Sequence, residues 1–507
     1  MSKLAKKTTI KSSQNKIIEY RQQSNIAFQL LVRSQCGDLR IDLKELLAYP
    51  LTPVPYSIAT SDGFLNKTDK SKGYHFLTKD VEDVPPPPDQ SLVLEDGNAA
   101  FYYLKDLPPN FRDICARLFD MVVRKSDIIF STDMYLENSI KSMERKRRGC
   151  SEKLIVTGET TKKPLDWKTF LANEENKKQL IELLCRVWST DNFAPKLLGK
   201  NVITVSDGHA FHITSYDGTS VCRTEIKSIE STQEETDSRV VLYCFYGKQQ
   251  GYRNIRIRSP DTDIFFILLH YALELQGVTI LFDTGTGNKK RLIDITKLAQ
   301  QYQQELCTAL LGLHAFTRCD TTSAFKGIGK VKPIKTLQKS PQFQSALAQI
   351  GDSWQISEDL FLQMEAFTCL LYGGKEVSCV NDLRYNKIRG KCCSTGETFD
   401  ASKNIDLGVL PPCRNCLREH LKRVNYQVGI WKRAHIAKPV YPKPTHDNGW
   451  QCVDGMIEPK WVSGDFIPQQ LTDVLVEENI AGLTESDESD DEFDDVLYSL
   501  IDGEEED

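Results

Sequence analysis

The sequence predicts an α/β fold, with a mostly parallel central sheet flanked by helices. Two observations carry this expectation. Short apolar runs recur between residues 90 and 300 with helical stretches between them, the order expected of a parallel sheet with helical crossovers. Several of those runs end in acidic residues, and in such sheets ligand-bearing side chains gather at the carboxyl ends of strands.

Residues 1–88 read as an N-terminal extension. They contain one amphipathic segment, 17–33, and close on the stiff run Pro85-Pro86-Pro87-Pro88. The α/β domain is expected over 89–345. Ser91-Leu92-Val93-Leu94 is a short strand ending in Glu95-Asp96-Gly97, and a helix follows over 111–124. Asp127-Ile128-Ile129-Phe130 is a second strand, ending near Asp133, and 139–149 is a strongly basic helix. Residues 201–205 form a third strand. Residues 234–246 form a helix with an acidic first turn, which the helix dipole favours. The strand 254–258 runs into Asp261 and Asp263, and an apolar helix continues to Leu275. Strands 278–282 and 292–295 bracket a hairpin-like turn at Asp283-Thr284-Gly285-Thr286-Gly287-Asn288. A helical, Cys-containing region spans 346–465, and 466–507 is an acidic tail.

The chain has 507 residues, 40% of them hydrophobic and 26% charged, ordinary for a soluble globular protein. It shows no secretory apolar core and no run long enough to span a bilayer, so no membrane partner is expected. Residues 485–507 hold thirteen acidic residues and no Lys or Arg; setting those aside turns the net charge of −6 into +7. A basic body suits a phosphate backbone. The tail reads either as a solvated end or as a competitor for that surface. Fifteen cysteines, with no secretion signal, read as reduced residues of an intracellular protein.

The chemistry concentrates in acidic residues. Asp261 and Asp263 follow one strand, Glu235 and Asp237 open one helix, and Asp96 and Asp133 end two further strands. Asp320 precedes Lys326-Gly327-Ile328-Gly329-Lys330. Clustered carboxylates repel, and they persist most readily where divalent cations neutralise them. Residues i and i+2 share a face in a strand but diverge at a helix start. One of Glu235 and Asp237 is therefore expected to act behind the other. Gly327 and Gly329 would let the backbone approach a phosphate, with Lys326, Lys330 and Lys332 adding charge; the alternative is a structural turn between two helices.

In motif order and spacing, residues 90–340 resemble the 5′-nuclease branch of the PIN-like fold, which includes flap endonuclease. Glu235-Thr236-Asp237 resembles its Glu-x-Glu, and Asp261-Thr262-Asp263 its Asp-x-Asp. Cys319-Asp320 resembles its Gly-Cys-Asp motif, with Arg318 standing where the glycine is usual. Lys326-Gly327-Ile328-Gly329 resembles its helix–hairpin–helix turn. The chain is also similar to an uncharacterised animal subgroup often found with mobile elements, whose motifs read Glu-Glu-Ala-Asp-Thr-Arg, Ser-Pro-Asp-Thr-Asp and Gly-Cys-Asp-Thr-Thr-Ser-Ala-Phe.

The resemblance implies a nuclease using two Mg²⁺ or Mn²⁺ ions held by Asp96, Asp133, Glu235, Asp237, Asp261, Asp263 and Asp320. Its nucleic-acid partner would be DNA rather than RNA. Lys141 and Arg147 are the nearest matches to a Lys and an Arg that meet the scissile phosphate. The basic run 141–148 also reads as a solvated helix face or a nuclear-import cluster, and a nuclear location is favoured over a cytoplasmic one. The alternative function is a catalytically inactive nucleic-acid-binding or assembly protein of transposon-associated origin. Finally, Cys413-Arg414-Asn415-Cys416 with His420 has zinc-like spacing. No second Cys-x-x-Cys completes it, and reduced packing residues are the competing reading.

Overall fold

The computed structural model describes residues 7–11, 17–21, 41–87, 91–123, 127–142, 152–392 and 406–472. They fall into two compact units. One comprises Leu65–Val380 with Leu417–Trp461, and the other draws on Met1–Phe64, Asn381–Cys416 and Val462–Asp507. The division after Phe64 lies well before the proline run, so the segment leading to it belongs with the sheet. The acidic tail beyond residue 472 lies outside the described residues.

The smaller unit contains an antiparallel pair, β1 (Lys7–Lys11) and β2 (Ile17–Arg21). The expected amphipathic segment thus begins as a strand, and its remainder lies outside the described residues. Leu46, Leu47, Leu51, Ile388, Leu410 and Phe466 form this unit's apolar core. Buried Arg384 joins its pieces by donating to the carbonyls of Leu47 at 2.8 Å, Tyr49 at 3.1 Å and Pro411 at 2.6 Å.

The larger unit is built on an eight-stranded sheet. Its strands are β3 (Leu92–Asp96), β4 (Asp127–Ser131), β5 (Val202–Ser206), β6 (His209–Thr214), β7 (Cys222–Glu225), β8 (Asn254–Arg258), β9 (Thr279–Thr284) and β10 (Arg291–Asp294). The spatial order is β10-β9-β8-β3-β4-β5-β6-β7. The five central strands, β9 to β5, are mutually parallel. Antiparallel strands close both edges, β10 on one side and β6 and β7 on the other. This is the predicted α/β architecture with antiparallel margins.

Alternation along β3 shows how the faces are covered. Val93 joins Phe101, Phe111, Phe119, Phe130 and Trp188 in one core, against the helices Phe111–Val122 and Glu174–Trp188. Leu92 points the other way, so close to the helix Thr236–Gln249 that a Cβ on Gly247 would lie 2.7 Å from it. Beyond that helix, Thr262–Tyr271 is buried along its whole length. It packs on the long helix Ile295–Phe316, whose backbone breaks at Gln303 (φ 66°). One further hairpin, β11 (Trp450–Val453) with β12 (Met456–Pro459), completes the unit. Among the described residues no helix is long and apolar enough to cross a membrane.

Candidate metal centre

Three neighbouring parallel strands deliver the first carboxylates to one end of the sheet. Asp96 closes β3, Asp133 follows β4, and Asp261 follows β8. Asp96 caps the helix Gly97–Tyr103, accepting the Ala99 N–H at 3.0 Å, and accepts the Ser259 hydroxyl at 2.9 Å. Burial raises its pKa to about 7, and the charges on Asp133 and Asp261 push it the same way. Asp133 accepts the Thr236 N–H at 2.8 Å, which ties the end of β4 to the helix Thr236–Gln249.

Glu235 is the N-cap residue of Thr236–Gln249, and Asp237 lies in its first turn. Burial pushes both carboxyls toward the neutral form. Asp261 adds to this at Asp237, while the Lys141 ammonium opposes it at Glu235. Asp261 caps Thr262–Tyr271 by accepting the Asp263 N–H at 2.8 Å. Carboxylate oxygens of Asp261, Asp263 and Asp320 all lie within 4.8 Å of one another. The backbone turns into this last motif at Arg318 (φ 124°), a conformation that suits glycine better than arginine.

Two ammonium groups are held among these acids. Lys70 Nζ lies 2.8 Å from Asp261, 3.0 Å from Asp263 and 2.9 Å from Asp320. Lys141 Nζ lies 3.0 Å from Glu235 and 3.4 Å from Asp320. Burial disfavours each ammonium, but the surrounding carboxylates outweigh it and raise both lysine pKa values well above the usual range. Burial likewise opposes ionisation of Asp263 and Asp320, yet Lys70 and Lys141 hold both carboxyls below their ordinary range. His314 completes the surroundings: its Nε2 meets Asp263 Oδ1 at 2.9 Å. Burial, with Lys330 nearby, lowers its pKa to about 3, so the ring is neutral and donates from Nε2.

The donor set suits a hard divalent cation. It offers only carboxylate oxygens, and Lys70 shows that oxygens from separate segments already converge on one positive charge. Seven ionised carboxylates against two ammonium groups would leave a negative excess that a bound divalent cation would offset. Lys70 and His314 were not singled out in the sequence. Neither lies in a motif, and Lys70 precedes the first central strand by more than twenty residues.

Arg147 lies outside the described residues, whereas Lys141 is only 15% exposed, so it is no solvated face. Lys326, Gly327 and Gly329 are exposed. Gly327 has φ 77°, and a Cβ on either glycine would meet open space. Lys332 Nζ donates to the Leu371 carbonyl. Lys330 departs from the expectation of a solvent-facing charge. It is 2% exposed, and its ammonium donates to the His314 carbonyl at 2.7 Å and the Arg318 carbonyl at 2.5 Å. Cys413 and Cys416 are buried, and a hydrogen bond from Cys416 lowers the Cys413 pKa to about 7. His420 Nε2 donates to the Phe316 carbonyl at 3.0 Å.

No protein-family model matches this chain, and no curated protein matches it. Among solved structures, the flap endonuclease D15 of bacteriophage T5, in a pseudo-enzyme–product complex with DNA and metal ions, is 11% identical. That match covers 68% of this chain and 99% of the phage protein, with a TM-score of 0.27. The same phage protein co-crystallised with metal ions gives 11% identity, 67% and 98% coverage, and a TM-score of 0.28. Neither likeness assigns a role to a residue here.

Proposed function

We propose that the protein is a divalent-metal-dependent nuclease of the PIN-like 5′-nuclease type, hydrolysing phosphodiester bonds of structured or single-stranded nucleic acid. DNA is favoured over RNA as its substrate, and the nucleus over the cytoplasm as its location. The observation that carries this reading is the convergence of acids from three adjacent strand ends and two helix starts around buried cations.

Asp261, Asp263 and Asp320 would hold one Mg²⁺ or Mn²⁺, with Asp96, Asp133, Glu235 and Asp237 holding a second. Such ions supply Lewis-acid polarisation of a phosphoryl oxygen and an acidified water. The protein's own part is positional. Asp133 fixes the start of the helix bearing Glu235 and Asp237, and His314 orients Asp263. Lys141, with Arg147 six residues on in sequence, would meet the negative charge of the scissile phosphate. The exposed turn at Gly327 and Gly329 would carry the nucleic-acid backbone without reading sequence.

The test is cleavage of labelled flaps, hairpins, single strands and RNA in Mg²⁺ or Mn²⁺. Asp261→Asn combined with Asp263→Asn keeps the cap hydrogen bond and similar side-chain volumes. It is expected to abolish cleavage; it also strips Lys70 and His314 of carboxylate partners, so thermal stability falls while the far-UV circular-dichroism spectrum stays that of wild type. Wild-type protein inert on every substrate with both metals would favour the inactive nucleic-acid-binding alternative.

A further inference from the structure

We propose that Lys70 is a built-in competitor of the divalent cation, an ammonium held on the Asp261–Asp263–Asp320 carboxylates that must withdraw before a metal ion binds there. The inference rests on the metal reading above.

Lys70 immediately precedes the helix Ser71–Leu77, whose N-terminus disfavours positive charge. It makes no side-chain cap, and Asp69 instead accepts the Ser71 N–H and hydroxyl at 3.0 and 2.6 Å. Nothing in its own helix therefore draws the ammonium inward; the three carboxylates do. The helix itself is firmly seated. A Cβ on Gly73 would lie 3.3 Å from Phe266 and 3.5 Å from Ile334. Tyr74 packs edge-on to Phe265 with ring centroids 5.0 Å apart. Ala324 N–H donates to the Asn66 carbonyl at 2.9 Å, which ties the preceding segment to the chain just past Asp320. The backbone at Lys70 is thus fixed, and only the flexible four-carbon stem is free to swing. The side chain is 19% exposed, which leaves it a path to solvent.

An ammonium within about 3 Å of three carboxylates and a divalent ion on the same oxygens would be like charges a few ångströms apart. They exclude one another. In the metal-free protein Lys70 relieves carboxylate repulsion, and the same contact lowers the apparent affinity for metal.

Two measurements on the full chain test this. Isothermal titration with Mn²⁺ should show Lys70→Met binding on the order of tenfold more tightly than wild type. It should also be less thermally stable than wild type in EDTA, a deficit that Mn²⁺ removes. Independently of any variant, acetic anhydride labelling of wild type read by mass spectrometry should modify Lys70 slowly in EDTA and several-fold faster in Mn²⁺. If Mn²⁺ binds but Lys70→Met binds no tighter, or Lys70 labelling does not respond to Mn²⁺, the inference falls and the metal centre stands. If Mn²⁺ binds neither protein, the metal centre falls and takes the inference with it.

Discussion

Glu95 and Asp96 are adjacent acids with opposite surroundings. Strand alternation sends them to different faces. Glu95 lies opposite Arg258 in the register and pairs with it at 3.0 Å, while Asp96 turns to the helix cap and the acidic cluster. The sequence places the two acids side by side; the register pairs Glu95 with Arg258 and leaves Asp96 to the acidic cluster. Lys330 teaches the converse. Its place in a Lys-Gly-Ile-Gly-Lys turn suggested a phosphate contact, yet its charge is buried beside His314. Burial lowers its pKa to about 7, far below an unfolded lysine near 10.4. Between those values the unfolded chain binds a proton that the native state does not, so this contribution to stability increases as pH rises from about 7 to 10. In urea unfolding at several pH values, the stability of wild type relative to Lys330→Met should climb with pH, by roughly 1 kcal/mol per unit. Parallel pH profiles would show that the lysine does not titrate in this range.

At the scale of elements, the central strands were readable because their environment is uniform. Buried runs such as Leu92-Val93-Leu94 and Ile128-Ile129-Phe130 leave little choice of structure. Of the edge strands, β10 was readable as the run 292–295, but β6 and β7 were not. β7 (Cys222–Glu225) is exposed at every residue, so no apolar pattern marks it. β6 begins in a two-residue turn at Asp207 and Gly208, both at positive φ. Helix boundaries moved by only a few residues, but one shift matters: Thr236–Gln249 starts after Glu235, which leaves Glu235 at the cap. Helix packing offers its own test. A Cβ on Gly312 would lie 2.3 Å from the Leu347 carbonyl oxygen, so Ile295–Phe316 and Pro341–Gln349 approach backbone to backbone there. Gly312→Ala is expected to cost about 2 kcal/mol, since overpacking outweighs the gain in helix propensity. A chemical-denaturation midpoint equal to or above that of wild type would mean the two helices can separate without loss.

For the molecule as a whole, the candidate centre draws together residues that the sequence holds far apart. Asp96 and Asp320 lie more than two hundred residues apart, and Lys70 comes from a stretch that composition alone assigned to an extension. The motifs made most of the acids visible, because acid pairs beside apolar runs are chemically conspicuous. Lys70 and the His314 imidazole, which hold some of those acids in place, carry no such mark, whereas Lys141 stands in a conspicuous basic run. Their roles come from the order β9-β8-β3-β4-β5, which brings three strand ends side by side, and from the helices that return to them.

The most direct measurement is an anomalous-scattering map from a crystal of the full chain soaked in Mn²⁺. The account predicts density among Asp261, Asp263 and Asp320, and a second site bounded by Asp96, Asp133, Glu235 and Asp237, with Mn–O distances of about 2.1 to 2.3 Å. A well-diffracting soaked crystal with no anomalous peak among these seven carboxylates would contradict it.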